Sequence, residues 1–184
     1  QLDRLDIVEV TADDYFDAPK AKRRALKTLG CQVPVVLHGV TLGLASSVAV
    51  EEKRLEQTAR LVEEIHPEFW SEHLACVRSG DIEIAHLAAA PRTKATIDAT
   101  ACNLAGAAAV IGSRPLVENI ATLMEPPASE CTEAQWVSGV VASAECDLLL
   151  DLHNLHANAT NFGYDAHAAI AALPLHRVEG VHLA

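Results

Sequence analysis

Six short apolar runs recur along the chain, at Ile7–Val10, Val33–Leu37, Phe69–Trp70 with Leu74, Leu116–Val117, Leu148–Leu150 and Val178–Leu183. Helix-forming segments lie between them, giving roughly 30 to 45 residues per unit, the mark of repeated βα units around a parallel sheet. Two architectures accommodate about six such units in series. A doubly wound open sheet would carry a glycine-rich phosphate loop after its first strand, and "TADDYFDAPK" is no such loop. A (β/α)8 TIM-type barrel fits better, with six units extrapolating to about eight in some 250 residues or more. Residues 1–184 therefore read as a single, partial barrel domain. The chain opens without Met on the strand "LDIVEV" and stops just after another, "VEGVHLA", so both ends read as cut.

The intervening helices carry their own punctuation. "PKAKRRALKTLG" opens on Pro19 and is expected to end on Gly30 as a C-terminal cap. Residues 47 to 65 are mostly good helix formers, stopped by His66-Pro67. "TKATIDATACNLAGAAAVIG" ends at Gly112, and Thr132 with Gln135 forms a capping box ahead of "WVSGVVASAE". Asp165 is placed to cap "AHAAIAAL", which Pro174 ends.

Composition excludes several partners. Half of the 184 residues are hydrophobic and the formal net charge is −11, which argues against a phosphate-backbone partner. The basic run "KAKRRALK" reads as one solvated helix face. Five cysteines, with no CxxC spacing, suit reduced thiols rather than a disulfide framework or a zinc ribbon. No apolar run approaches the roughly 20 residues that span a bilayer, and no secretory signal opens the chain, so a cytoplasmic protein is expected.

The strand ends hold the informative residues. His38 follows "VPVVL"; His73 lies in "SEHL" after "EFW"; Glu118 and Asn119 follow "RPLV"; Asp151 and Asn154 follow "LLL"; His182 follows "EGV". Singly, each has a bland reading: a hydrogen-bonded histidine, a helix cap, a turn amide. In a barrel, however, all five strands would aim these groups at one small volume, where unpaired acids and imidazoles are costly without a cation. Mixed nitrogen and oxygen donors without cysteine disfavour a structural zinc–thiolate site and suit Fe, Mn or catalytic Zn; more than four candidates suggest two or more ions.

These blocks, "HGVTLGLASS", "SEHLA", "LVENI", "LLLDLHNLHANATNFGYDA" and "ALPLHRVEGVHLA", resemble in order the signatures of the DUF692 proteins. That family, the multinuclear non-heme iron-dependent oxidative enzymes, includes the methanobactin-synthesis oxidase. The resemblance implies a TIM barrel holding two or three iron ions, with Zn or Mn as alternatives. It implies an oxidase or oxygenase in which O2 activated at the cluster modifies a residue, usually Cys, of a ribosomally made precursor peptide. A small partner protein often presents that peptide. Carried over by position, the metal ligands would be His38, His73, Glu118, Asp151, Asn154 and His182, with Glu118 bridging two ions. The family's remaining ligands, an Asp, a His and a Glu, would lie beyond Ala184, so partial metal occupancy is expected of these residues alone. This chain has Asn161-Phe162-Gly163 where the family often has "NHG", and its His153 and His156 replace an Asn and an aromatic; both histidines are expected to support ligands rather than to be ligands. Glu72 is a candidate to orient a ligand imidazole or to form an ordinary salt bridge, while Trp70 and Cys76 are expected to pack. A divalent-metal hydrolase or isomerase on a similar barrel, or a non-catalytic metal- or peptide-binding barrel, are the competing functions.

Overall fold

The apolar runs become strands because each can be buried on both faces, between helices outside and a barrel interior inside. The computed structural model describes residues 5–183. In chain order the elements are β1 (Val8–Thr11), α1 (Asp13–Phe16), α2 (Lys20–Gly30), β2 (Val35–Gly39), α3 (Glu52–Ile65), β3 (Trp70–His73), β4 (Cys76–Ser79), β5 (Ile82–Ala88), α4 (Lys94–Ile111), β6 (Leu116–Glu118), α5 (Glu133–Ala144), β7 (Asp147–Asp151), α6 (Leu152–Phe162), α7 (Ala166–Ala171) and β8 (Val178–His182). Six strands form one parallel sheet in the order β1-β2-β3-β6-β7-β8, and β4 and β5 form a separate antiparallel pair. Strand order follows chain order without reversal, so the sheet is the arc of an incomplete TIM barrel and not a doubly wound sheet.

The expected helix signals hold at most ends. Thr132 makes its reciprocal capping box, Asp165 caps α7 through the amide of His167, and His66 and Gly112 end their helices in the left-handed conformation; Thr93, not among the expected signals, makes a second capping box. Two boundaries differ. Gly30 is not a cap: it remains the last helical residue of α2, and the turn continues through a right-handed Cys31. The helix expected from residue 47 begins at Glu52. Asn103 on α4 donates its side-chain amide to the carbonyls of Leu44, Ser46 and Val48 at 3.0, 3.3 and 3.3 Å, and so holds that stretch out of a helix. The basic run on α2 is solvated as expected, with Leu26 the buried residue of that helix.

The β4–β5 hairpin is the element that the apolar pattern did not announce. Its second strand is largely exposed, so it lacks the buried alternation that marks the others.

Two apolar layers result from the pleat. Val35, Leu37, Trp70, Val117, Leu148 and Leu150 face outward and pack in one cluster with Leu26, Leu55, Leu61, Ile65, Leu104, Val137 and Val140 of the helices. Val36, Leu116 and Leu149 alternate with them on the inner face. Gly180 belongs to that inner layer: a Cβ there would meet Leu149 Cδ1 at 2.8 Å. Among the described residues no helix is long and apolar enough to cross a membrane.

Candidate metal centre

Strand register brings the polar residues together. His38 is level with Ser71, and Ser71 with Leu116, so His73 and Glu118, themselves paired, stand two residues further along. Glu118 is level with Leu149, and the paired Asp151 and His182 stand two residues further again. Even offsets keep all five side chains on the same, inner face. The climb of four residues over the four steps from β2 to β8 is about one per strand, the stagger of a (β/α)8 barrel with shear of about 8. Tilted strands need that climb if their ends are to meet at one mouth.

Glu118 lies at the centre, 2% exposed. Its Oε2 is 3.2 Å from His38 Nε2 and 3.4 Å from His73 Nε2. Its Oε1 is 3.0 Å from His182 Nδ1, which in turn lies 3.9 Å from Asp151 Oδ2. Two groups with ligand-like spacing follow, His38–His73–Glu118 and Glu118–Asp151–His182, and Glu118 belongs to both. The His38 ring centroid is 4.6 Å from that of His73 and 5.5 Å from that of His182.

Each ligand candidate is held from behind. His38 Nδ1 lies 2.7 Å from the hydroxyl of the fully buried Ser71, and His73 Nδ1 lies 3.1 Å from the Gly39 carbonyl. Both rings thereby turn Nε2 toward Glu118. The Asn119 side chain extends the β6–β7 ladder, donating to the Asp151 carbonyl and accepting from the Asp151 amide, both at 2.9 Å. Asp151 caps α6 by accepting from the Asn154 amide through Oδ1 at 2.7 Å, so capping and facing His182 are done by its two different oxygens. Asn154 donates its side-chain NH2 to the Asn119 carbonyl at 3.0 Å, which leaves its side-chain oxygen outside that bond. His153 and His156 are exposed on α6, in neither group.

One further residue joins the cluster that the strand-end pattern missed. Glu9 Oε2 lies 3.0 Å from His182 Nε2. Glu9 pairs with Val36, two residues before His38, so it continues the same stagger on β1. It sits inside an apolar run rather than after one. Its place in the cluster follows from the β1–β2 register, which no local pattern along the chain announces.

The electrostatics favour a cation. Burial, then the neighbouring charges of His73 and His182, push the His38 imidazole down to about 3, so its ring is neutral and its lone pair free at neutral pH. Burial raises Glu118, with His73 and His182 pulling the other way. Burial opposes charge on His73 and His182, but Glu72 with Glu118, and Glu9 with Glu118, outweigh it and raise both. Glu118 Oε2 is buried and has no hydrogen-bond partner among the described residues. Donor atoms bound about 2.1 Å from one ion at right angles lie roughly 3 Å apart, close to the 3.2 and 3.4 Å found here. The donor set, two imidazoles on one carboxylate oxygen and an imidazole with an acid beside the other, has the chemistry to hold metal, with Glu118 common to both groups.

The model of the family described as "RiPP precursor modification enzyme MbnB/TglH/ChrH" matches residues 1–184. A UPF0276 protein of Rhizorhabdus wittichii is 32% identical over 180 residues, covering 98% of this chain and 64% of its own length. One of Chromobacterium violaceum is 33% identical over 177 residues, covering 96% and 64%. The chain thus spans 64% of the length of these relatives. Among solved structures, D-psicose 3-epimerase with D-fructose superposes with a TM-score of 0.63 at 18% identity, over 97% of this chain and 63% of the other. Endonuclease IV from Thermus thermophilus gives 0.55 at 20%, over 97% and 66%. At such identities these two bear on the barrel fold alone. Family match, barrel and cluster agree, and the chain belongs to the MbnB/TglH/ChrH family of RiPP precursor modification enzymes.

Proposed function

We propose that this chain is the metal-holding part of an iron-dependent oxidase or oxygenase that modifies residues, cysteines foremost, of a ribosomally made precursor peptide, working in the cytoplasm with a small peptide-presenting partner. One observation carries the reading: Glu118 offers each oxygen to a different group of imidazole and acid, and one of those oxygens is buried without a proton donor. The family match supports the peptide as substrate class. The assigned ligands are His38, His73 and Glu118 for one ion, and Glu118, Asp151, His182 and the Asn154 carbonyl for a second. Two or three iron ions are expected, the set being completed by residues outside this chain.

Bound iron would supply one-electron redox chemistry and an open position for O2, which no side chain of the cluster can provide. The chain's residues do the remaining work. Neutral His38 donates a lone pair with no proton to lose first, and Ser71 keeps its ring turned. Glu118, shared by both groups, would offer one oxygen and part of its negative charge to each. His182, half within the mouth, contacts Glu9 on its open side.

The test uses the full-length protein that contains this chain, purified without oxygen. Iron is counted by elemental mass spectrometry, and a cysteine-containing precursor peptide is then mixed with protein and O2 and followed by intact mass. About two or more irons per chain and an oxidative mass change support the proposal. Zinc or manganese alone, with turnover of a sugar or a phosphodiester, would move the chain to the isomerase or hydrolase reading. Peptide or metal binding without turnover would leave a binding barrel.

A further inference from the structure

Glu72 is a buried carboxylate on the wrong side of the sheet for the cluster. It alternates with Ser71 and His73, so it points outward from β3 toward the helices, yet it is 1% exposed. A carboxylate in that layer is costly unless its oxygens are satisfied. Both are. Oε1 accepts from the His73 amide at 2.9 Å, and Oε2 accepts from the Leu42 amide at 3.1 Å. Its register partner is Gly39, where a Cβ would stand 2.6 Å from Glu72 Oε2 and 3.2 Å from the Ser71 carbonyl. Only glycine leaves room for the carboxylate. That same Gly39 carries the carbonyl 3.1 Å from His73 Nδ1. The loop after β2 is gripped from its other side too. Asp13 Oδ2 accepts from the Val40 amide at 2.9 Å, and the buried Arg78 of β4 donates to the carbonyls of Leu42 and Thr41 at 3.1 and 3.0 Å.

From this geometry we infer that Glu72 is a positioning residue for the His73 imidazole: by holding the His73 and Leu42 amides at once, it sets the Gly39 carbonyl against Nδ1–H, so that Nε2 is the nitrogen presented to Glu118. A direct hydrogen bond to the ring is not its role, because Oε1 lies 3.8 Å from His73 Nδ1, beyond hydrogen-bond length though near enough for its charge to favour the protonated ring. Both partners of Glu72 are N–H donors, so the position requires two acceptor oxygens on one side chain. Glutamine offers one, and aspartate is a methylene too short to reach. The Arg78 contacts also assign the β4–β5 hairpin a task, bracing the loop that Glu72 holds. The consequence for metal affinity rests on the function proposed above; the positioning itself does not.

Two measurements on the full-length protein separate the ideas. In metal-free, 15N-labelled protein, taken to a pH high enough to neutralise the ring because its pKa is raised, long-range proton–nitrogen spectra read the His73 tautomer. Wild type should be protonated at Nδ1, and Glu72→Gln should show a mixture or the other tautomer. Titration with Fe2+ or Co2+ should then show about a tenfold loss of affinity in Glu72→Gln, unrescued by Glu72→Asp. Glu133→Gln, which alters a partly buried glutamate that belongs to neither ligand group, should leave affinity unchanged. Wild-type tautomer and wild-type affinity in Glu72→Gln would overturn the inference. Should that variant not fold, the wild type decides: scalar couplings from the Leu42 and His73 amides to the Glu72 carboxylate carbon are expected, and absence of both overturns it. A tautomer change in a protein that binds no metal would sink the proposed function and leave the positioning role standing.

Discussion

Two glutamates drawn out of water, the buried Glu118 at the barrel mouth and the partly buried Glu133 at the start of α5, meet the same cost in opposite ways. Burial raises the pKa of both. Glu133 is fully answered by the protein: Asn158 donates to its two oxygens at 3.2 and 2.9 Å, the Tyr164 hydroxyl reaches Oε2 at 3.2 Å, and Arg92, itself buried and paired with Glu125, lies 3.7 Å away. Glu118 has imidazoles and an acid around it and an oxygen left over. A carboxylate with its own cation and donors holds a corner of the fold together. One whose neighbours are all potential ligands is built for a cation from outside.

The sharpest way to break that contrast is Glu118→Ala in the full-length protein, which should reduce bound metal to under about a tenth of wild type by elemental analysis, whereas Glu133→Ala should retain it. Equal metal content in the two variants would erase the distinction. Glu133→Ala should instead cost about 3 kcal/mol in urea unfolding, because Arg92 then stays buried with less to face. The metal-free protein offers a test of sign: Glu118→Gln removes an unsatisfied buried carboxylate and should raise stability by about 1 kcal/mol, while Glu133→Gln lowers it. Ser71→Ala frees the His38 ring at Nδ1, and about a tenfold weaker metal affinity with under ~1 kcal/mol of lost stability is the expected outcome by titration and unfolding. Smallest of all, Glu9→Gln perturbs a pair that is partly open to water, and its effect on stability should stay within about 0.5 kcal/mol.

Much of this organisation is local and therefore readable along the chain. Apolar runs become strands, Thr132 and Asp165 cap helices, and His38, His73, Glu118, Asp151 and His182 stand where runs end. These depend on period-two burial and on hydrogen bonds spanning a few residues. Glu9, the start of α3 and the hairpin were not readable, since each depends on contacts made far along the chain: His182 with Glu9, Asn103 with the stretch before α3, Arg78 with the loop after β2.

The sequence by itself determined which side chains stand at the mouth and that a parallel barrel sheet would carry them. Only the tertiary structure decided that they converge, because convergence rests on register between strands tens of residues apart. A shift of one residue in any pairing would turn a ligand outward to where Glu72 now lies. It also decided that Glu9 reaches His182 from β1, and that Glu72 serves the cluster from the opposite face.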